Sequence, residues 1–394
     1  MPMAPDERPP RRRLGYGRQF IDAEDIEAVA DVLKSDFLTQ GPQLEVFEEE
    51  LARTTGAPHV VSVANGTAAL HVAYAAFDVG PGDTFLTTAN TFLGTASAGV
   101  LCGARAEFLD IDLATGNMAI DALARRLEVG PAVRAVTAVH FAGLPVDMER
   151  VIELKRRHGF LLFEDAAHAL GARYAVEGRM WRVGEHPEID ACCLSFHPVK
   201  HVTTGEGGAV LTSNAAAARR LRRLRSHGID LEADEKPLGW EGERPAWFRP
   251  MVELGFNYRM SELHAALGVS QLTKLKAFLA RRREIAAIYR DRLRGFHVPD
   301  RGDIGREHAW HLFVVRVDQG RDELMAYLAE QGIFTQLHYY PVPLQPYFRS
   351  RYGVRRFPNA EEHARTALSL PIHTGLAVEE QGEVIDALNA WARG

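Results

Sequence analysis

Residues 59–77 read "HVVSVANGTAALHVAYAAF". The first part is a short, valine-rich apolar run. Asn65 and Gly66 follow it, then a stretch of small residues. That order predicts a strand, a tight turn and a helix beginning at once behind it. One such unit decides little, but the pattern recurs. "DTFLTT" (83–88) precedes "TFLGTASAGVLCG" (91–103), and "AVTAVHFAG" (135–143) precedes a helix near "MERVIELKRRHG" (148–159). "FLLFEDAA" (160–167), "IDACCLSF" (189–196) and "GGAVLTS" (207–213) read as further strands. Strands alternating with helices of this length imply an α/β fold, a mainly parallel sheet covered on both faces.

The rest of the chain sorts around that core. Residues 1–20, basic and proline-rich at first, are expected to form a flexible N-terminal segment. Residues 21–265 form a large domain and 266–394 a smaller α+β domain. "SELHAALGVSQLTKLKAFLARRREIAAIYRDRL" (261–293) is a long amphipathic helix leading into the second, with Ser261 as its N-terminal signal. The polar, proline-containing segment 228–252 carries Trp240 and Trp247 and reads either as a binding loop or lid or as an insertion packed on the surface.

Composition narrows the function. The formal net charge is −6, so no general polyanion-binding surface is implied. The three cysteines, Cys102, Cys192 and Cys193, lack CxxC spacing, which suits buried apolar roles in a cytoplasmic protein and no metal site. No run of about 18 uncharged apolar residues suggests a membrane span.

Ligands of such sheets bind beyond the carboxyl ends of the strands. Asp165 closes one strand, and "SFHPVKH" (195–201) places Lys200 after another. Converging there, the two form either a buried ion pair or a catalytic couple. The turn at Gly66 and Thr67 opens a helix whose free N–H groups suit a phosphate. Phe92 lies near the same edge. A phosphate cradle, a flat aromatic ring, a carboxylate and a nucleophilic lysine are the parts needed to hold pyridoxal phosphate. "TTGEGG" (203–208) is not a nucleotide P-loop, since no Gly-Lys-Ser/Thr follows. His197 and His201 flank Lys200 at metal-pair spacing, but Pro198 between them counts against zinc.

The motifs "NGTAAL", "EDAAHALGA", "SFHPVKHVTTGEGG", "GFNYRMSELHAALG" and "HYYPVPLQPYF" occur in this order. With them the chain resembles, over nearly its whole length, the DegT/StrS family of sugar aminotransferases. The resemblance implies the type I fold of pyridoxal-phosphate enzymes, with a seven-stranded sheet between helices. It implies that Lys200 is the Schiff-base lysine and proton carrier, that Asp165 pairs with the pyridine nitrogen, and that His168 lies near the cofactor ring. Phe92 would stack on that ring, and Gly66, Thr67 and Ser195 would cradle the phosphate. Asn257 would reach the phosphate from the neighbouring subunit of a homodimer. Arg259, His338, Tyr339 and His201 are implied as substrate contacts.

The resemblance leans toward enzymes that aminate C4 of a UDP-linked 4-keto-6-deoxy hexose, as in pseudaminic acid biosynthesis, with L-glutamate as donor. A C3-directed sugar or cyclitol aminotransferase is the alternative within the family. A dehydratase relative would carry histidine in place of Lys200. A non-catalytic cofactor- or nucleotide-sugar-binding regulator would not need the Lys200, Asp165 and Asn257 set.

Overall fold

The computed structural model describes residues 13–302 and 305–393. Seven strands form the central sheet: β1 (His59–Val63), β2 (Thr84–Thr88), β3 (Arg105–Leu109), β4 (Ala135–Val139), β5 (Leu161–Asp165), β6 (Ala191–Ser195) and β7 (Gly208–Thr212). Their spatial order is β1-β7-β6-β5-β4-β2-β3. All pairings are parallel except those of β7, which runs antiparallel to both β1 and β6. β4 and β7 are buried along their whole lengths, as strands covered on both faces must be.

Each face has its own apolar core. Phe47, Leu51, Phe160 and Phe196 pack on one side; Tyr74, Phe85 and Phe163 pack on the other. A third core in the C-terminal region holds Tyr289, Phe313, Leu368 and Leu388. The helix Glu262–Arg292 joins them, capped at Ser261, whose side chain accepts from the His264 N–H. It gives Leu272, Leu275 and Leu279 to the first core and Ile285, Ala286 and Tyr289 to the third. The expected boundary at 265–266 thus falls in the first turn of a continuous helix, and the packing divides further along it, between Leu279 and Ile285.

The N-terminal segment needs a correction. Residues 1–12 lie outside the described residues. Leu14 and Gly15, expected to be flexible, instead pair in parallel with Ile333 and Phe334. Leu14 is buried in the C-terminal core, and the Arg13 guanidinium lies 4.4 Å from the Phe334 ring centroid. Burying the leucine offsets the entropy of ordering the chain here.

The antiparallel β7 returns the glycine-rich turn to the ligand edge. Gly208 stands opposite both Val63 at the end of β1 and Ser195 at the end of β6. A Cβ on Gly208 would lie 2.4 Å from the Asn65 carbonyl oxygen, so glycine is required by close backbone approach.

Candidate active site

A cavity of about 760 Å³ opens at the carboxyl edge of the sheet. β5 ends in two carboxylates, and strand alternation sends them opposite ways. Glu164 turns into the core, where it accepts the Gly184 N–H at 2.8 Å. Asp165 faces the cavity. Its Oδ2 accepts from Thr95 Oγ1 at 2.6 Å, and its Oδ1 accepts from the Ala167 N–H at 3.2 Å. Two donors fix the orientation of the carboxylate.

Lys200 enters the same cavity from the loop after β6. Its Nζ lies 3.5 Å from His311 Nε2. Loss of water lowers the Lys200 pKa to about 8; the Asp165 charge opposes that shift and the Arg282 charge adds to it. Near neutrality about a tenth of the amine is therefore unprotonated, the form that attacks a carbonyl, far more than for an ordinary lysine.

The anion cradle lies beside them. Asn65 caps the helix Gly66–Ala76 by accepting the Ala68 N–H, which leaves the N–H groups of its first residues without intrahelical partners. Gly66, Thr67 and Ser195 all line the cavity. A Cβ on Gly66 would sit 2.8 Å from Ser195 Cβ, so the glycine lets the Ser195 hydroxyl approach the helix end.

His168 and Tyr339 form the opposite wall, with Tyr339 Oη 3.1 Å from His168 Nε2. Burial holds His168 well below the usual imidazole range, helped by the Lys200 charge, and raises the Tyr339 hydroxyl. Both are neutral, so either tautomer of His168 can make this bond, and the one in which Tyr339 donates and His168 Nε2 accepts puts the ring hydrogen on Nδ1. The buried His168 Nδ1 then carries a hydrogen with no partner. His338 also lines the cavity, and its Nδ1 is 2.8 Å from Ser369 Oγ. Phe92 lines the mouth and is 56% exposed, its ring 6.2 Å from that of Tyr339.

Three predicted site residues stand apart. His201, expected to touch substrate, does not line the cavity. Its ring is buried with Nε2 3.0 Å from the Ala309 carbonyl oxygen, because the turn that presents Lys200 directs its neighbour away. Asn257 is exposed and outside its own chain's cavity. Arg259 donates to Ser226 Oγ at 3.1 Å and likewise does not line it. Trp240 and Trp247 pack edge to face on each other, also away from it. His311 and Thr95 were missed by sequence reading. His311 sits 111 residues beyond Lys200 with no local motif around it, and Thr95 lies one helical turn behind Thr91 in an unremarkable small-residue helix.

The residues present fit pyridoxal phosphate. The orphaned His168 Nδ1, the oriented Asp165 carboxylate, the helix N-terminus beside Ser195 and the partly deprotonated Lys200 supply a donor, an acceptor, an anion cradle and a nucleophile. Such a set can hold an aromatic phosphate, bond a carbonyl and move a proton. Among the described residues no helix is long and apolar enough to cross a membrane.

A model of the DegT/DnrJ/EryC1/StrS aminotransferase family matches residues 19–389. Among solved structures, the chain is similar to Helicobacter pylori PseC, an aminotransferase involved in the biosynthesis of pseudoaminic acid. They share 27% identity, with 97% of this chain and 100% of that one covered and a TM-score of 0.88. DesV of S. venezuelae is 34% identical, with 94% and 95% covered and a TM-score of 0.84. A putative sugar aminotransferase from Streptococcus pneumoniae, Spr1654 in its PLP-form, is 26% identical, with 97% and 99% covered and a TM-score of 0.86.

Proposed function

The chain belongs to the DegT/DnrJ/EryC1/StrS aminotransferase family, whose cofactor is pyridoxal phosphate, and we propose that it moves an amino group from L-glutamate to a nucleotide-linked 4-keto-6-deoxy hexose, with UDP as the nucleotide. The observation that carries this reading is the meeting of Lys200, the Thr95-held Asp165 and the Gly66–Thr67 helix end in one cavity. Its likeness to PseC over nearly the whole of both chains favours the C4-directed substrate.

The residues divide the work. When bound, pyridoxal phosphate supplies a ring that takes up the electron pair left as a proton departs the donor's α-carbon. Asp165, held by Thr95 and Ala167, would accept the hydrogen of the ring nitrogen and keep that nitrogen charged. Gly66, Thr67 and Ser195 would hold the phosphate and so keep the ring from turning away. Lys200 would be the residue that bonds the cofactor's carbonyl carbon. Freed by an amino donor, Lys200 Nζ would take the donor's α-proton and give it to the carbon on the other side of the transferred nitrogen, a general acid–base role suited to a pKa of about 8. His168 would offer its unpartnered Nδ1 to the ring's edge. With the keto-sugar the same groups act in reverse. His338 and Tyr339 are the substrate contacts from the C-terminal region.

Asn257 faces outward, and in a homodimer it would complete the phosphate site of the neighbouring subunit; Arg259 would receive the donor's carboxylate. The site is tested by Lys200→Ala, which abolishes turnover with the fold retained by circular dichroism. Unchanged amino transfer by that variant would remove Lys200 from the mechanism. A panel of UDP-, dTDP- and GDP-linked keto-sugars tests the substrate: conversion of a 3-keto sugar or cyclitol alone would keep the mechanism and move the acceptor.

A further inference from the structure

We propose that a second cavity, between the turn at 113–116 and the strand Phe313–Arg316, binds a small oxyanion that also carries a hydroxyl, such as an organic phosphate of a polyol. The cavity measures about 380 Å³, within the range of small-ligand sites. Phe141, Leu144 and Val298 give it an apolar wall, while Arg290 and Arg316 bring two guanidinium groups to it.

The charges in it are unbalanced. Arg290 gives one Nη1 hydrogen bond to the Pro299 carbonyl. Among the described residues, no carboxylate lies within ion-pair distance of Arg290 or Arg316. Asp300 also lines the cavity, but its Oδ1 accepts from the Gly302 N–H at 3.2 Å. His297 is already 2.9 Å from Asp318. His308 is neutral, held down to about 3 by burial and then by the Arg290 charge. Two guanidinium groups against one carboxylate leave a net positive charge, and guanidinium forks suit phosphate and carboxylate oxygens.

A separate observation points to the hydroxyl. His363 lines this cavity and is 3% exposed. Its Nε2 donates to the His338 carbonyl at 2.8 Å, so its Nδ1 carries the lone pair, and that buried Nδ1 has no partner. A buried acceptor without a donor is costly, and a ligand hydroxyl would satisfy it. The site also backs onto the active cavity. The His363 ring lies 5.4 Å from Phe141, and Phe141 lies 6.3 Å from the Tyr339 ring.

The test uses the enzyme loaded with pyridoxal phosphate, so that the cofactor cradle is already filled. Inorganic phosphate and glucose 1-phosphate are titrated by calorimetry, with hydrogen exchange followed at 113–116 and 297–300. Saturable binding is expected, with protection of both segments. Arg316→Gln should weaken it at least tenfold, Arg316→Lys should restore part of the loss, and Asp300→Asn should tighten it. The cofactor's absorbance and basal turnover should not change in these variants. Binding of equal strength in Arg316→Gln and wild type would overturn the proposal. So would the absence of saturable binding by either probe to wild type and to Asp300→Asn, which does not depend on the arginine variant folding.

Discussion

Thr95 Oγ1, 2.6 Å from Asp165 Oδ2, fixes how that carboxylate faces the cavity. Thr95→Val keeps the shape and removes that donor. A hydrogen bond to a charged group contributes about 1.5 kcal/mol or more, so kcat should fall about tenfold. Steady-state kinetics beside an unchanged cofactor content would show it. Lys200 gives a second prediction, for the apoenzyme. Burial lowers its pKa from 10.5 to about 8. Between those values the unfolded chain holds a proton that the folded chain lacks, so stability rises with pH across that window. Urea unfolding should show a gain of up to roughly 3 kcal/mol between pH 8 and pH 10.5 relative to Lys200→Met. A pH dependence identical in the two proteins would contradict the buried amine. Lys200 and Asp165 were legible in the sequence because each follows an apolar strand, and a parallel sheet brings strand ends together. His311 was not, since only the packing of the C-terminal region against the sheet brings it to Lys200.

The glycine-rich turn and the long helix carry this geometry. Gly208 lies where a Cβ would press on the carbonyl of Asn65, the N-cap of the helix Gly66–Ala76. Gly208→Ala should cost about 1–3 kcal/mol of stability and also weaken cofactor retention, measurable by thermal unfolding and equilibrium dialysis. Arg282, within the helix Glu262–Arg292, is 2% exposed. Its Nη1 donates to the carbonyls of Trp310, His311 and Ile372 at 3.0–3.1 Å, tying His311's segment to the helix. Arg282→Met leaves those carbonyls unsatisfied and should destabilise by about 2–4 kcal/mol in urea titration. The strands and the long helix were readable from periodicity and from the Ser261 cap. The pairing of Leu14–Gly15 with Ile333–Phe334 was not, because two residues show no period and their partner lies at the other end of the chain. His201 misled for a local reason: adjacency to Lys200 says nothing about direction in a turn.

Over the whole molecule, the sheet, the helix end and the C-terminal region enclose a cavity that Asn257 of the same chain does not reach. A homodimer with a shared site predicts complementation. Lys200→Ala and Asn257→Ala should each be severely impaired, and mixing them through unfolding and refolding should recover activity in the mixed dimers; no recovery would argue for a site complete within one chain. Amino transfer itself is tested most directly with 15N-labelled L-glutamate, the holoenzyme and a UDP-linked 4-keto-6-deoxy hexose, with products read by mass spectrometry. Appearance of the 15N-amino sugar with wild type and its absence with Lys200→Ala is the predicted result. No labelled amino sugar from any UDP-, dTDP- or GDP-linked keto-sugar, or equal labelling by Lys200→Ala, would contradict it.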